Sequence, residues 1–353
     1  LIPFEEGFKF LLCGIDSLDL GGFVEWNNKW EQRRDKFQNR KEQAQGTNGL
    51  LCSNSAGRKY VQTAKGKPPQ FRYHLQFPEY HLYIGISQTP QKTPNVYISF
   101  NAEALWHLGV DKCVQLATRD IRAFGGDVLY FQPSRCDLSA DFFIPGDLSL
   151  PFLNSHKVCR SSSQRQFLSD DKLETFYIGA TSAPVQLRIY DKGKEILKSG
   201  KPWFQTFWGK EDPTCVWRVE FQLRRTVLRE FRIETVDCLR SKLGGLWQYL
   251  TEDWFSLRLP NHERQDRREL HHWWTSVQSL ADQFGPTIEL QRLTEAEFLV
   301  PIDWYVSHIA GCLPSLAART ETVILNDALN HLTTQIIEYW FERDFKDEVQ
   351  KRP

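Results

Sequence analysis

Three stretches of the chain alternate between apolar and polar side chains. Val185 to Tyr190 sends Val185, Leu187 and Ile189 one way and Gln186, Arg188 and Tyr190 the other. Ser134 to Phe142 sets Arg135, Asp137, Ser139 and Asp141 against Cys136, Leu138, Ala140 and Phe142. Cys215 to Leu223 sets Arg218, Glu220 and Gln222 against Trp217, Val219, Phe221 and Leu223. A period of two is that of a strand with one covered face. The three together predict an α+β fold: an antiparallel sheet with helices on one face. If these strands lie close in one sheet, its polar side gathers Asp137, Asp141, Glu220, Arg188, Arg218 and Tyr190.

Other elements follow from the same patterns. An apolar run over Phe8 to Leu20 predicts the first strand, and Trp30 to Gln45 a basic helix anchored by Trp30 and Phe37. Gly46 to Gly57, rich in Gly, Asn and Ser, reads as a loop. Tyr80 to Ser87 and Val96 to Phe100 read as strands, and Asp111 to Phe124 as a helix ended by Gly125 and Gly126. Thr175 to Ile178 is expected to pair with Val185 to Tyr190 as a hairpin. Beyond Arg225 helical spacing dominates, over Thr235 to Leu250, Arg267 to Phe284 and Glu321 to Glu342. The expectation is therefore two domains, a sheet-bearing catalytic domain over 1–235 and a mostly helical C-terminal domain over 236–353, serving DNA binding or dimerisation.

Composition narrows the class. The 353 residues carry 44 basic and 44 acidic side chains, so net charge points to no partner. Between Asn27 and Leu75, however, 11 Lys or Arg face 3 acids, a net of +8 that suits a polyanion. A solvated helix followed by a basic loop fits that charge equally well. The eight cysteines are scattered without a C-x-x-C pair, as expected of reduced, packed thiols in a cytoplasmic protein. No apolar run is long enough to span a membrane, so no membrane partner is expected. Methionine is absent even from position 1, and the expectation is that the true start lies upstream. Tryptophans, twelve in all, are more often core than base-stacking platforms.

The polar cluster supports a specific chemistry. Carboxylates without His or Cys neighbours suit a hard cation, Mg²⁺ or Mn²⁺, bound through oxygen. Asp137 and Asp141 share a face but span about 13 Å at roughly 3.3 Å per residue. Asp137 and Glu220 are therefore the better direct ligands, with Asp141 acting through water or a bulge. A metal beside Arg188 and Arg218 would bind a phosphodiester and stabilise in-line displacement. Tyr190 is then the candidate nucleophile, with Lys192 steadying the phosphate. A free phenol has a pKa of about 10, so it needs such help to attack. Taken singly, a strand tyrosine is usually structural, an Asp-x-x-x-Asp face usually solvated, and an Arg-x-Glu usually a salt bridge. The reading rests on the three strands together.

Four motifs resemble the Rep_trans family of rolling-circle replication initiators, whose relatives include relaxases of Gram-positive integrative elements. They are SRCDLSAD at Ser134 to Asp141, YIG at Tyr177 to Gly179, LRIYDKGKE at Leu187 to Glu195 and WRVEFQLRR at Trp217 to Arg225. They stand in the family's order, and weaker similarity continues through Leu246 to Pro260. Family members often read Y-x-G-S-R at the hairpin; here Ala180 and Thr181 follow Gly179, so one cation of that pattern is missing. The resemblance implies a fold like that of HUH endonucleases without their His pair. It implies Tyr190 as the nucleophile and Asp137, Asp141 and Glu220 as the acids of a metal-dependent, sequence-specific nick. The expected substrate is single-stranded or hairpin origin DNA, leaving a 5′-phosphotyrosine and a free 3′-OH. The implied role is initiation of rolling-circle replication of a plasmid or phage, with a host helicase as partner and a homodimer as assembly. A conjugative relaxase or transposase would share the chemistry; a DNA-binding regulator with an idle catalytic face is the alternative of a different class.

Overall fold

The computed structural model describes residues 7–46, 50–55, 57–288, 290, 292, 302–341 and 343–346. Two strands of 18 residues each, β1 (Lys9–Trp26) and β7 (Gly126–Phe143), pair antiparallel along their whole length at the centre. Between them lie α1 (Trp30–Gln45), β2 (Leu50–Ser55), β3 (Arg58–Thr63), β4 (Tyr73–Gln76), β5 (Tyr80–Ile84), β6 (Val96–Phe100) and α2 (Ala102–Ala123). After β7 come α3 (Leu150–His156), β8 (Lys157–Cys159), β9 (Gln164–Ser169), β10 (Lys172–Ile178) and β11 (Val185–Asp191). Then follow α4 (Lys192–Ser199), α5 (Trp203–Trp208), β12 (Val216–Arg224), α6 (Arg225–Glu230) and α7 (Val236–Tyr249). The chain continues through β13 (Phe255–Leu257), α8 (His272–Gln278), α9 (Ala281–Phe284), α10 (Ile302–Arg319) and α11 (Leu325–Phe341).

Eleven strands form one antiparallel sheet in the order β2-β3-β4-β5-β6-β1-β7-β12-β11-β10-β9. The fold is α+β, with a mostly helical C-terminal part. The predicted hairpin is present, Thr175 opposite Tyr190 and Tyr177 opposite Arg188. The three alternating segments are the adjacent strands β7, β12 and β11. Their apolar faces are wholly buried: Leu138, Phe142, Leu187, Ile189, Val219 and Phe221 expose nothing. At about 25 cal/mol per Å² of apolar surface removed from water, this continuous greasy layer is the main force holding the strands in register.

Two expectations need correction. The compact unit that holds the sheet runs to Leu290, and the second unit is Gln291–Pro353, so no boundary falls at 235. The reason is packing. Trp247 meets Phe221 at 5.7 Å between ring centres and Trp273 meets Phe142 at 5.9 Å, which makes α7 and α8 the cover of the sheet's apolar face. The Gly46 to Gly57 loop is also not all loop: Leu50–Ser55 pairs with Arg58–Thr63 as a hairpin. Backbone pairing, rather than side-chain character, makes it a strand. In the second unit α10 and α11 pack against one another.

The seven described cysteines that stand in the structure as free thiols include the buried Cys113 and Cys136. Among the described residues no helix is long and apolar enough to cross a membrane.

Candidate active site

Register brings the polar side chains together. In β11 and β12, Arg188 stands opposite Glu220 and Tyr190 opposite Arg218; in β12 and β7, Glu220 stands opposite Ser139 and Arg218 opposite Asp141. Their polar side is not uniform. One end is sealed, and the other opens into a cleft of about 510 Å³ lined by Tyr190, Arg188, Glu220, Lys192, Tyr177 and Asp16, among others.

At the open end, the Tyr190 hydroxyl donates to Glu220 Oε2 at 2.8 Å. Arg188 Nη2 donates to both remaining acids, Glu220 Oε1 and, at 3.2 Å, Asp137 Oδ2. Arg135 also holds Asp137, its Nε donating to Oδ1 at 2.8 Å. Asp137 and Glu220 are buried while Arg188 and Tyr190 are only partly covered. Glu220 thus sits at the floor of the cleft with Asp137 buried beneath it, and the guanidinium and phenol rise from it.

Burial, followed by the charge of Glu220, pushes the Tyr190 phenol well above its ordinary value, against the pull of Arg218 and Arg188. As it stands the hydroxyl is fully protonated, and its proton already points at Glu220. Burial also pushes the Asp137 carboxyl up to about 7; its bond to Arg135 opposes this and the nearby Glu220 charge adds to it. Burial works against the charge of Arg188, but Glu220 and Asp137 hold it protonated.

The sealed end corrects two expectations. Arg218 exposes nothing: Nε and Nη2 bind the two oxygens of Asp141 at 2.5 and 2.8 Å, and Nη1 binds Asp16 at 2.5 Å. Asp141 further accepts from Trp208 Nε1 at 2.8 Å, and Phe204 stacks on the Arg218 guanidinium at 4.6 Å. Arg218 therefore meets no phosphate, and Asp141 has no oxygen facing Asp137 and Glu220. The pair is a buried framework beneath Tyr190, closed by α5. Lys192 is also largely internal. Its ammonium pairs with Glu195 at 2.5 Å and lies over Phe204 at 4.4 Å, and burial, with Arg218 nearby, lowers its pKa.

Asp16 was not singled out from the sequence. A bulge in β1 puts it there: Ile15 pairs with Leu138 and Ser17 with Asp137, leaving Asp16 as the extra residue. Both Asp16 and Ser17 then line the cleft. Burial opposes the Asp16 charge, but Arg218, Lys192 and a 3.0 Å bond from Trp106 Nε1 hold its carboxyl below the usual range. Two acids three positions apart, Asp16 and Asp19, within one strand were the available signal.

The motif after Tyr190 has a structural logic of its own. Asp191 caps α4, accepting from the Lys194 amide at 2.8 Å. Gly193 lets the chain pass another segment, for a Cβ there would fall 1.9 Å from the Pro213 carbonyl oxygen. Gly179 ends β10 at φ +94°, a left-handed conformation that suits glycine, and makes the hairpin turn into β11 possible. These residues fix where β11 ends and so where Tyr190 stands.

Among the described residues, no cluster of three or more His, Cys, Asp or Glu is arranged to hold a metal. The predicted trio is split, Asp141 lying with Arg218. Asp137 and Glu220 do meet, through one nitrogen of Arg188. Two carboxylates, completed by water and substrate phosphate, are a donor set that Mg²⁺ or Mn²⁺ accepts.

No family model matches the chain, and no curated protein does. Among solved structures it is similar to a rolling circle replication initiator protein from Geobacillus stearothermophilus, at 17% identity and a TM-score of 0.44, over 82% of this chain and 100% of that one.

Proposed function

We propose that this chain cuts and rejoins single-stranded DNA through Tyr190, as an initiator of rolling-circle replication. The observation that carries the reading is the Tyr190 hydroxyl on Glu220 at the floor of an open cleft, with Arg188 bridging Glu220 to the Asp137 buried beneath it. A nucleophile, a proton acceptor and a cation for the phosphate stand within one hydrogen-bonded group.

Tyr190 Oη attacks phosphorus as its proton passes to Glu220 Oε2. The bond from phosphorus to the 3′-oxygen breaks, and that oxygen leaves as a hydroxyl once protonated. The product is a 5′-phosphotyrosine ester and a free 3′-OH; attack by a 3′-OH on the ester reverses the step and rejoins the strand. Arg188 neutralises the phosphate oxygens as charge builds on them. The framework of Arg218, Asp141 and Asp16 holds β11 and β12 in place beneath the phenol. Asp137 and Glu220 would hold Mg²⁺ or Mn²⁺, which supplies further neutralisation at the same phosphate.

The test uses end-labelled single-stranded DNA carrying an origin hairpin, incubated with the protein and Mn²⁺ and resolved on a denaturing gel. A covalent adduct is expected, and chelation should remove most of it. Half-saturation by Mn²⁺ should move to lower concentration as pH rises through about 7, because the metal must displace the proton that Asp137 carries below that value. Adduct formation indifferent to chelator would remove the metal from the account.

A further inference from the structure

The polar face does not end at Arg188. Strand order and register carry it outward over two more strands: Tyr177 on β10 stands opposite Arg188, and Arg165 on β9 opposite Tyr177. Arg165, Tyr177, Arg188 and Glu220 thus form a row across four strands, starting at the sheet's edge and ending at the candidate nucleophile's partner.

Three features of this row are unusual for a plain sheet surface. Arg165 lies over the Tyr177 ring at 4.9 Å, yet among the described residues its guanidinium has neither a hydrogen bond nor an acidic partner. Arg188 uses only Nη2 for its carboxylates. Phe167 packs edge-on to Tyr177 at 5.8 Å while 56% of it stays exposed, on an edge strand where an open aromatic invites misassembly unless it serves a purpose. Two cations spaced by an aromatic pair match the repeat of a single strand, in which phosphates alternate with flat bases. Tyr177 also lines the cleft, so a strand laid on β9 and β10 leads directly to Tyr190.

We infer that β9 and β10 hold the nucleotide flanking the scissile phosphate, with a base of single-stranded DNA against Tyr177 and Phe167 and a backbone phosphate on Arg165. This rests on the reading of Tyr190 as a DNA nucleophile and extends it to residues that the chemistry itself does not use.

The experiment measures fluorescence anisotropy of labelled oligothymidine with the full chain and four variants, each checked for native circular dichroism. Tyr177→Ala and Phe167→Ala should each weaken binding by about 5- to 100-fold, the range for losing one base–aromatic stack. Tyr177→Trp should restore most of the loss, which a merely structural tyrosine would not allow. Arg165→Gln should lower the slope of log affinity against log salt by about 0.7, one phosphate contact on a single strand. Unchanged affinity and salt slope in all the variants would overturn the inference. So would a Phe167→Ala that alters only the sedimentation of the protein, since the edge strand would then pair with a second copy. If wild type forms its adduct while the variants bind normally, only this subsite fails. If wild type binds through Tyr177 yet forms no adduct, the subsite stands and the nicking reading fails.

Discussion

Tyr190→Phe should lower strand cleavage by about 10⁴-fold or more, the scale seen when a sole nucleophile is removed. Phenylalanine keeps the ring and its place on β11 but takes away the oxygen that would join phosphorus. Affinity for the same DNA should change less than about fivefold, because only a hydroxyl bonded to Glu220 is lost. Glu220 retains Arg188, so its charge stays paired and the fold should lose only about 1–2 kcal/mol. Glu220→Gln should give a smaller fall in cleavage, since Tyr190 keeps a hydrogen-bond partner but not an acceptor for its proton. Cleavage and affinity measured in parallel on the same DNA check both variants. Cleavage by the Phe variant at more than a few per cent of wild type would assign the nucleophile elsewhere.

The second large effect concerns stability. Asp141→Ala strips Arg218 of the partner for two of its nitrogens and Trp208 of its acceptor, in a place with no access to water. Asp16 alone remains to balance the guanidinium. Breaking a buried pair from one side costs about 3–5 kcal/mol, enough to lower Tm by about 10 °C in a unit of this size. Asp141→Leu combined with Arg218→Met should recover much of that loss, because the penalty lies in the stranded charge rather than in the missing attraction. Thermal unfolding followed by circular dichroism decides it. An Asp141→Ala protein as stable as wild type would mean that Arg218 is not the framework described here.

Much of this was legible in the chain because polar and apolar positions alternate over Arg135 to Phe142 in β7, Val185 to Tyr190 in β11 and Trp217 to Leu223 in β12. That period alone places Asp137, Arg188, Tyr190 and Glu220 on one face, and the four meet. Periodicity says which way a side chain points and nothing about what covers it. Arg218 and Asp141 have the right direction, but Trp208 and Phe204 of α5, on a segment between the strands, close over them. Asp16 was hidden because a one-residue bulge is a property of the paired strands, not of β1 alone. The boundary at residue 235 failed for a related reason. A switch from strand to helix marks a change of local structure, whereas domains are divided by packing, and Trp247 and Trp273 tie the helices to the sheet. The helical region's part in DNA binding or dimerisation stays a proposal, and the second unit is where dimerisation would be tested first.

The central claim is chemical: the Tyr190 oxygen becomes the link between protein and DNA. Digestion of the trapped wild-type adduct with trypsin and nuclease, followed by tandem mass spectrometry, reads that link directly. The account predicts a nucleotide joined through its 5′-phosphate to Tyr190, in the peptide Ile189 to Lys192 or its missed-cleavage form. A nucleotide on any other residue, or joined through a 3′-phosphate, would contradict it.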